Sequence, residues 1–538
     1  MPAAVRVAIA GAMNLYRSFA TVGGLTLVSR IMGFMRDIAF AALLGAGPIA
    51  EAFVVAFRFP NLFRRWFGEG AFNAAFIPLF TKRLEGEGRE PARVFASEAL
   101  AGLAFILLIV SVLCMIAMPW IMLGLAPGFS STPAKFDLAV DMSRIAFPYL
   151  FCMSLVALLS GVLNAVGKFV ESSAVSVVLN LTLMAAMAIA WWLGYGNDAR
   201  TGYVLAWGIF VAGLLQLWLL INGARRNGLM PRLTRPKLTP GVRQLVALGI
   251  PGVIAGGVTQ INIVIGSMIA SLQEGAVSYL FYADRLYELP LALVGIAIGV
   301  VLLPDVSRHL RAGNEAAVMD SQNRALELAL LLTVPAAVAL AVVPTEIVSV
   351  LYQRGAFRSS DTANVAAALA IFAVGLPSFV MIKVFSPAFF AREDTRTPMR
   401  FASLSLALNT LGSIGLFFLF RHLGWMPHTG IAVATAFGGW LNAWLLWRAL
   451  KQRGHFVADA RLKRSAAMTL VSSAIMGAAL WFCAHELAPW LAPGQPIWTR
   501  AGALATLVIG GGIVYATAAF ATGALRFSAL RAIMRQRG

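Results

Sequence analysis

The chain has 538 residues, 59% of them hydrophobic and 12% charged, with mean hydropathy +0.79 and a net charge of +19. Soluble domains carry about 25% charged residues, so the composition excludes a soluble globular protein and fits an all-α, polytopic membrane protein. The basic balance does not point to nucleic acid: most Lys and Arg fall in short loops, where they orient the chain and meet anionic lipid headgroups.

Cys114, Cys152 and Cys483 are scattered in apolar surroundings, giving no disulfide framework and no metal spacing. The five histidines show no HxxxH spacing and no cysteine nearby, so no metal or other cofactor is expected. The N-terminus has no short apolar core followed by a cleavage site, so no cleaved signal peptide is read. Met13 is a second candidate start.

Fourteen apolar segments reach the roughly 20 residues that a span needs. They lie at 20–45, 48–80, 94–124, 137–166, 172–195, 202–224, 244–271, 276–307, 322–344, 362–391, 400–420, 429–450, 465–486 and 500–524. The loops after segments two, six, eight, ten and twelve hold Lys82, Arg83, Arg89 and Arg93; Arg225 to Arg243; Arg308 and Arg311; Arg392 to Arg400; and Arg448 to Arg464. The alternate loops hold only Lys135, Arg200, Arg354, Arg358, Arg421 and Arg500. By the positive-inside rule both termini are cytoplasmic.

Segments one and two, joined by Gly45-Ala46-Gly47-Pro48, break the apolar pattern. They carry Arg30, Arg36, Asp37, Glu51, Arg58, Arg64, Arg65 and Glu69, eight ionisable residues of which five are arginine. A charge at membrane depth costs roughly 2.5–3.5 kcal/mol on insertion scales, and such residues mark interior pathways. Snorkelling to the interface accounts for Arg30 or Arg58 singly, but not for the whole set. Arginine is informative because its planar fork grips phosphate and stays charged. Several facing one cavity suit a pyrophosphate. Arg65 and Glu69 are four apart and can pair when the cavity is empty. Pro60, Gly68 and Gly70 weaken the helix and predict a bend.

The chain repeats internally. RFPNLFRRWFGEGAFNAAFIP from Arg58 is like RLYELPLALVGIAIGVVLLP from Arg285, VVLNLTL around Asn180 is like LALNTLG around Asn409, and the surroundings of Gln216 are like those of Asn442. Segments one to six therefore match seven to twelve, two lobes pointing the same way, which is a transporter pattern with its site near the midplane. The lobes are 1–230 and 231–455, with segments thirteen and fourteen appended in 456–538. Segment eight carries Asp284, Arg285, Tyr287 and Glu288. Asp284 and Glu288 share a helix face, and the repeat sets Arg285 opposite the arginines of segments one and two. A self-satisfied ion cluster is the structural alternative. The GxxxG matches at Gly252 and Gly295 are read as packing. Gly161 to Phe169 is superficially like a phosphate-binding loop, but its spacing is one too long and Phe169 replaces Ser/Thr. No nucleotide site is expected.

SRIMGFMRD, FRFPNLFRRWFGEGAFNAAFIP and YADRLYELP resemble the MurJ (MviN) family, lipid II flippases of the MOP exporter superfamily. The resemblance extends to APGF at Ala126, FPYL at Phe147 and KVFSPAFFAREDTRTP from Lys383. It implies two six-helix lobes around a cationic cavity, with a C-terminal helix pair forming a groove for the lipid tail. It implies lipid II as substrate, the undecaprenyl-pyrophosphate-linked disaccharide-pentapeptide. Position by position, it makes Arg30, Arg36, Arg64 and Arg285 the substrate-binding arginines. Asp37, Glu69, Asp284 and Glu288 become gate or cavity partners, with Glu51, Arg58 and Arg65 in secondary roles. Glu51 and Arg58 stand where the family favours Asp and Lys.

The implied function is translocation of lipid II from the cytoplasmic to the periplasmic leaflet of the bacterial inner membrane by alternating access. Membrane lipids and the cell-wall synthesis machinery are the expected partners. The alternative is an exporter of the same superfamily carrying a lipid-linked oligosaccharide or a drug. Five arginines oppose a cationic drug. A polyprenyl-phosphate enzyme needs an acid/base or metal constellation in an exposed loop. The short loops here offer none, so no enzyme is expected. The charge pattern makes a topology prediction: single cysteines at Arg232 or Arg396 stay unlabelled by a membrane-impermeant maleimide, while cysteines at Lys135 or Arg354 label from outside. Labelling at Arg232 in intact cells overturns the orientation.

Overall fold

A bilayer offers no water to backbone groups, so a spanning chain satisfies its own N–H and C=O groups as helix. The computed structural model describes residues 3–64 and 71–525, with side chains described except at 3–22, 63–64, 71, 74, 251–263, 293 and 296–301. No β-strand occurs among the described residues.

The chain divides into two compact units, Met1–Val277 and Ser278–Gly538. The first holds α1 (Ala3–Leu44), α2 (Pro48–Arg64), α3 (Ala71–Gly86), α4 (Arg89–Ile116), α5 (Met118–Leu125), α6 (Pro133–Ala146), α7 (Tyr149–Ala165), α8 (Val170–Trp192), α9 (Ala199–Arg226) and α10 (Pro240–Ala270). The second holds α11 (Ala276–Arg311, which starts just before the division), α12 (Glu315–Val342), α13 (Pro344–Tyr352), α14 (Ser359–Phe390) and α15 (Arg396–His422). It continues with α16 (Pro427–Gln452), α17 (Ala460–Glu486), α18 (Ala488–Leu491) and α19 (Ile497–Thr522).

Ten helical stretches among the described residues are long and apolar enough to cross a membrane. They are expected segments three to six and nine to fourteen. The other four expected segments fall on α1, on α2 with α3, on α10 and on α11. Segment two falls on α2, described to Arg64, and α3, described from Ala71, with Pro60 inside the first and Pro78 inside the second. The bend expected at Gly68 and Gly70 lies outside the described residues. Segment four is also divided, at Phe147-Pro148, because Pro148 brings no N–H to the helical ladder.

In the first unit α8 packs along α1 and α9, α2 along α6, and α3 along α7 and α10. Small residues set the approach: a Cβ at Gly208 of α9 stands 2.9 Å from the Ala186 Cβ of α8. Gln216 Nε2 then donates to the Val175 carbonyl at 2.7 Å, tying the same two helices. The second unit repeats this arrangement with α15 on α16, where Gly430 leaves room for the Leu416 carbonyl. Its core gathers Val384, Phe385 and Phe389 of α14, Leu446 and Leu450 of α16, Leu462 of α17, and Phe456 between α16 and α17. The C-terminal pair is integral to this unit. α17 packs on α12, and buried Arg500 of α19 donates to the Ser349 carbonyl and hydroxyl, both at 2.8 Å. Arg500, expected in an exposed loop, instead satisfies the C-terminal turn of α13.

Residues 391–396 are bound by charge. Asp394 accepts from Thr397 N at 3.0 Å and from Arg453 Nη1 at 2.7 Å, and Arg392 pairs with Glu315. The Arg453 hydrogen bond, aided by Thr397, holds the Asp394 carboxyl far below the usual carboxylate range. The FFAREDTRTP stretch is thus a staple between α14, α15 and the α16–α17 loop. Outward-facing Trp191, Trp192 and Trp498 are 74–85% exposed, as rings anchored at a membrane interface are.

The APGF stretch forms a 3-10 turn, Pro127–Ser131, docked on the end of α10. Gly128 N donates to Ser271 Oγ at 3.0 Å, and a Cβ at Gly128 falls 2.1 Å from the Ser271 carbonyl oxygen. Gly128→Ala is expected to lower stability by about 1–3 kcal/mol through overpacking, read as a fall in melting temperature in detergent. Ser130→Ala, on the exposed side of the same turn, leaves it unchanged.

Candidate functional site

The charged residues of segments one and two sort by how the structure partners them. Arg30, on α1, is exposed. One and a half turns on, Arg36 is half-buried and Asp37 buried. Arg36 Nε and Nη2 both donate to Asp37 Oδ1, at 3.1 and 2.7 Å. Its Nη1 donates to Asn180 Oδ1 of α8 at 3.0 Å. Asn180 Nδ2 in turn donates to the Ser29 carbonyl at 2.9 Å, so one amide bridges two turns of α1. Gly33 lies between them, its Cβ position 3.4 Å from Asn180 Nδ2. A methyl group fits there at van der Waals contact. A guanidinium has five N–H donors. Three bonds orient this one and leave donor capacity for an anion.

Asn180 was marked by the repeat alone, as the counterpart of Asn409, and not as a partner of Arg36. The repeat has a physical basis: Asn409 of α15 is also buried, accepting from Ser413 and Thr435 at 3.4 and 3.5 Å. A buried amide between packed helices supplies both a donor and an acceptor. Asn180, however, reaches α1, whereas Asn409 accepts from its own helix and from α16.

Glu51, expected in a secondary role, is fully buried near the start of α2. Lys135 of α6 pairs with it through Nζ and Oε2. Val277 N donates to its other oxygen at 3.1 Å. Lys135 Nζ also lies 4.0 Å from the centre of the Phe129 ring. This corrects the reading of Lys135 as an exposed loop residue: it is 7% exposed, in the first turn of α6. A cysteine there is shielded from a maleimide, and exposed Gln495 or Arg358 serves the topology test in its place. Loop position and exposure diverge here because Glu51, brought in by α2, needs a counter-ion.

Arg58 is half-buried on α2. Arg64 is the last residue of α2, its side chain outside the described residues, and Arg65 and Glu69 lie wholly outside them. In the second unit, Arg285 Nη1 donates to Glu288 Oε2 at 3.0 Å, with the guanidinium 5.0 Å from the Phe281 ring centre. Asp284 is bonded by the buried Tyr287 hydroxyl.

Long apolar helices that enclose ion pairs and polar bridges are those of a multi-pass membrane protein. The family model "Lipid II flippase MurJ" matches residues 40–500, and the chain belongs to the MurJ family. "Probable lipid II flippase MurJ" of Rhizobium tropici is 44% identical over 529 residues, covering 98% of this chain and 97% of that protein. "Lipid II flippase MurJ" of Burkholderia cenocepacia is 34% identical over 480 residues, 88% of this chain and 90% of that protein. The fold is similar to the solved "Lipid II flippase MurJ, inward closed conformation", with TM-score 0.74 at 24% identity over 93% of this chain and 97% of that one. An inward-facing MATE transporter of the MOP superfamily gives TM-score 0.63 at 15% identity, over 80% of this chain and 98% of that one.

Breaking a buried ion pair from one side leaves an uncompensated charge, at a cost of about 3–5 kcal/mol, whereas replacing both partners is far milder. Lys135→Met is therefore expected to lower the melting temperature sharply, and Glu51→Gln/Lys135→Met to recover most of the loss. Equal melting temperatures for single variant and wild type refute the pairing.

Proposed function

We propose that this chain is a lipid II flippase, moving the undecaprenyl-pyrophosphate-linked precursor from the cytoplasmic to the periplasmic leaflet by alternating access. The observation that carries it is kinship along nearly the whole chain with proteins named for that activity, at 44% identity to the first. Arginine-rich α1 and α2 suit the same anionic substrate. The protein is multi-pass in the bacterial inner membrane, with both termini cytoplasmic, and acts as a transporter without catalysis. Cell-wall synthesis enzymes are the partners that supply and consume its cargo. The two six-helix lobes do the moving, and the α17–α19 pair forms the groove for the lipid tail.

Arg30, Arg36, Arg64 and Arg285 contact the pyrophosphate, and Asp37, Glu69, Asp284 and Glu288 pair with them when the substrate is absent. Support comes from Arg36, whose fork is aimed by Asp37 and Asn180, and from Arg285, held beside Glu288. Charge-assisted hydrogen bonds are worth about 1.5–3 kcal/mol each. Lysine keeps the charge but loses the fork. Alanine at any of the four is expected to abolish complementation of a depleted strain at normal membrane levels, and lysine to restore it in part. Lipid II binding to the purified variants falls about tenfold or more on the same scale. Arg58 and Arg65 tolerate alanine better. Normal complementation and lipid II binding by all four well-expressed alanine variants defeat the arginine assignment.

A further inference from the structure

The connection from α9 to α10 contains neither helix nor strand from Leu229 to Thr239, yet it is pinned at both ends to α4. Leu229 and Pro231 are buried. Arg232 N donates to Ser97 Oγ at 2.8 Å, and Thr239 Oγ1 donates to Glu98 Oε2 at 2.7 Å. Thr239 also caps α10 by accepting from Val242 N. Pro231, Pro236 and Pro240 fix their own φ angles, so the strap keeps its shape at little entropic cost.

Between the pins, every residue from Arg232 to Leu238 is exposed. Arg232, Arg235 and Lys237 alternate with Leu233 and Leu238, which are 80% and 66% exposed. Exposed Arg225, Arg226 and Arg243 flank them. From Ala199 to Gln273 the sequence has no Asp or Glu. The neighbouring carboxylate Glu98 is engaged by Thr239.

The depth of the strap follows from its pins. Ser97 and Glu98 immediately precede the uncharged part of α4, Ala99–Ile116, and α4 is one of the membrane-crossing helices. Exposed Val246, Leu248 and Ile250 of α10 lie just beyond the other end. The strap therefore runs at the edge of the apolar belt, at headgroup level. Water-exposed leucines are unfavourable there, and insertion among acyl chains removes that cost. The cations beside them then meet phosphate.

We propose that Arg232–Leu238 is a docking strap for anionic phospholipid headgroups, with Leu233 and Leu238 inserted into the leaflet. The test places a bimane at Thr234→Cys in a Cys114→Ala/Cys483→Ala background, leaving buried Cys152 in place. The full-length protein is reconstituted in phosphatidylcholine nanodiscs containing brominated phosphatidylglycerol or brominated phosphatidylcholine. Quenching by the anionic lipid is expected to be stronger. Arg235→Gln alone should lower that preference by about fivefold, the worth of one cation near an anionic surface. Arg232→Gln/Arg235→Gln/Lys237→Gln should remove it, and Leu233→Ser/Leu238→Ser should weaken quenching by both lipids. Ser97 and Thr239 are untouched in all of these, so the pins hold. Equal quenching by the two lipids, or a preference that survives the triple substitution, overturns the proposal. So does the absence of quenching by either, which is the outcome for a loop that serves a soluble acidic partner.

Discussion

The cost of a charge in a low-dielectric layer governs this structure. Glu51 lies deep among apolar helices, and everything around it answers to its charge: Lys135 supplies the counter-ion, the Val277 amide a donor, and the Phe129 ring a face for the ammonium. Continuum arguments give such a pair little net stability, because desolvation offsets attraction. Its effect is positional. α2, α6 and the chain entering α11 have one favourable register, the one that brings the three groups together.

Arg36 solves the same problem differently. Asp37 follows it directly in sequence, so the charge is neutralised locally, and Asn180 contributes an uncharged acceptor from α8. The guanidinium is thereby oriented without being fully consumed. Glu51 and Lys135 are sealed from water, whereas Arg36 is half-buried and uses three of its five donors. That difference separates a sealed ion pair from one whose cation is still reachable. Arg285 and Glu288, one turn apart on α11, likewise pair within one helix, with both side chains partly exposed.

Outside the apolar layer, charge serves as fastening. Asp394, Arg453, Arg392 and Glu315 join loops distant in sequence. Arg324, paired with Glu327 and Asp459, ties α12 to the start of α17. Exposed pairs contribute little singly. These form networks, and at the ends of packed helices they limit fraying where apolar contact runs out.

The sequence by itself determined the helices and the family, because these rest on local quantities: apolar run length and motif spacing. It marked Arg36 and Arg285 for the same reason, since charge within an apolar run is visible without neighbours. It did not determine partners. Lys135, in a stretch between apolar segments, reads as a loop cation, and only the approach of α6 to α2 makes it the counter-ion of Glu51. Arg500 likewise reads as a loop residue, until α19 lies against the open carbonyls of α13. Asn180 was legible as a repeated position, but its bond to Arg36 spans 144 residues. Hydrophobicity is a property of each residue and adds along the chain. Satisfaction of a buried charge belongs to a pair, and the tertiary structure decides which pairs meet.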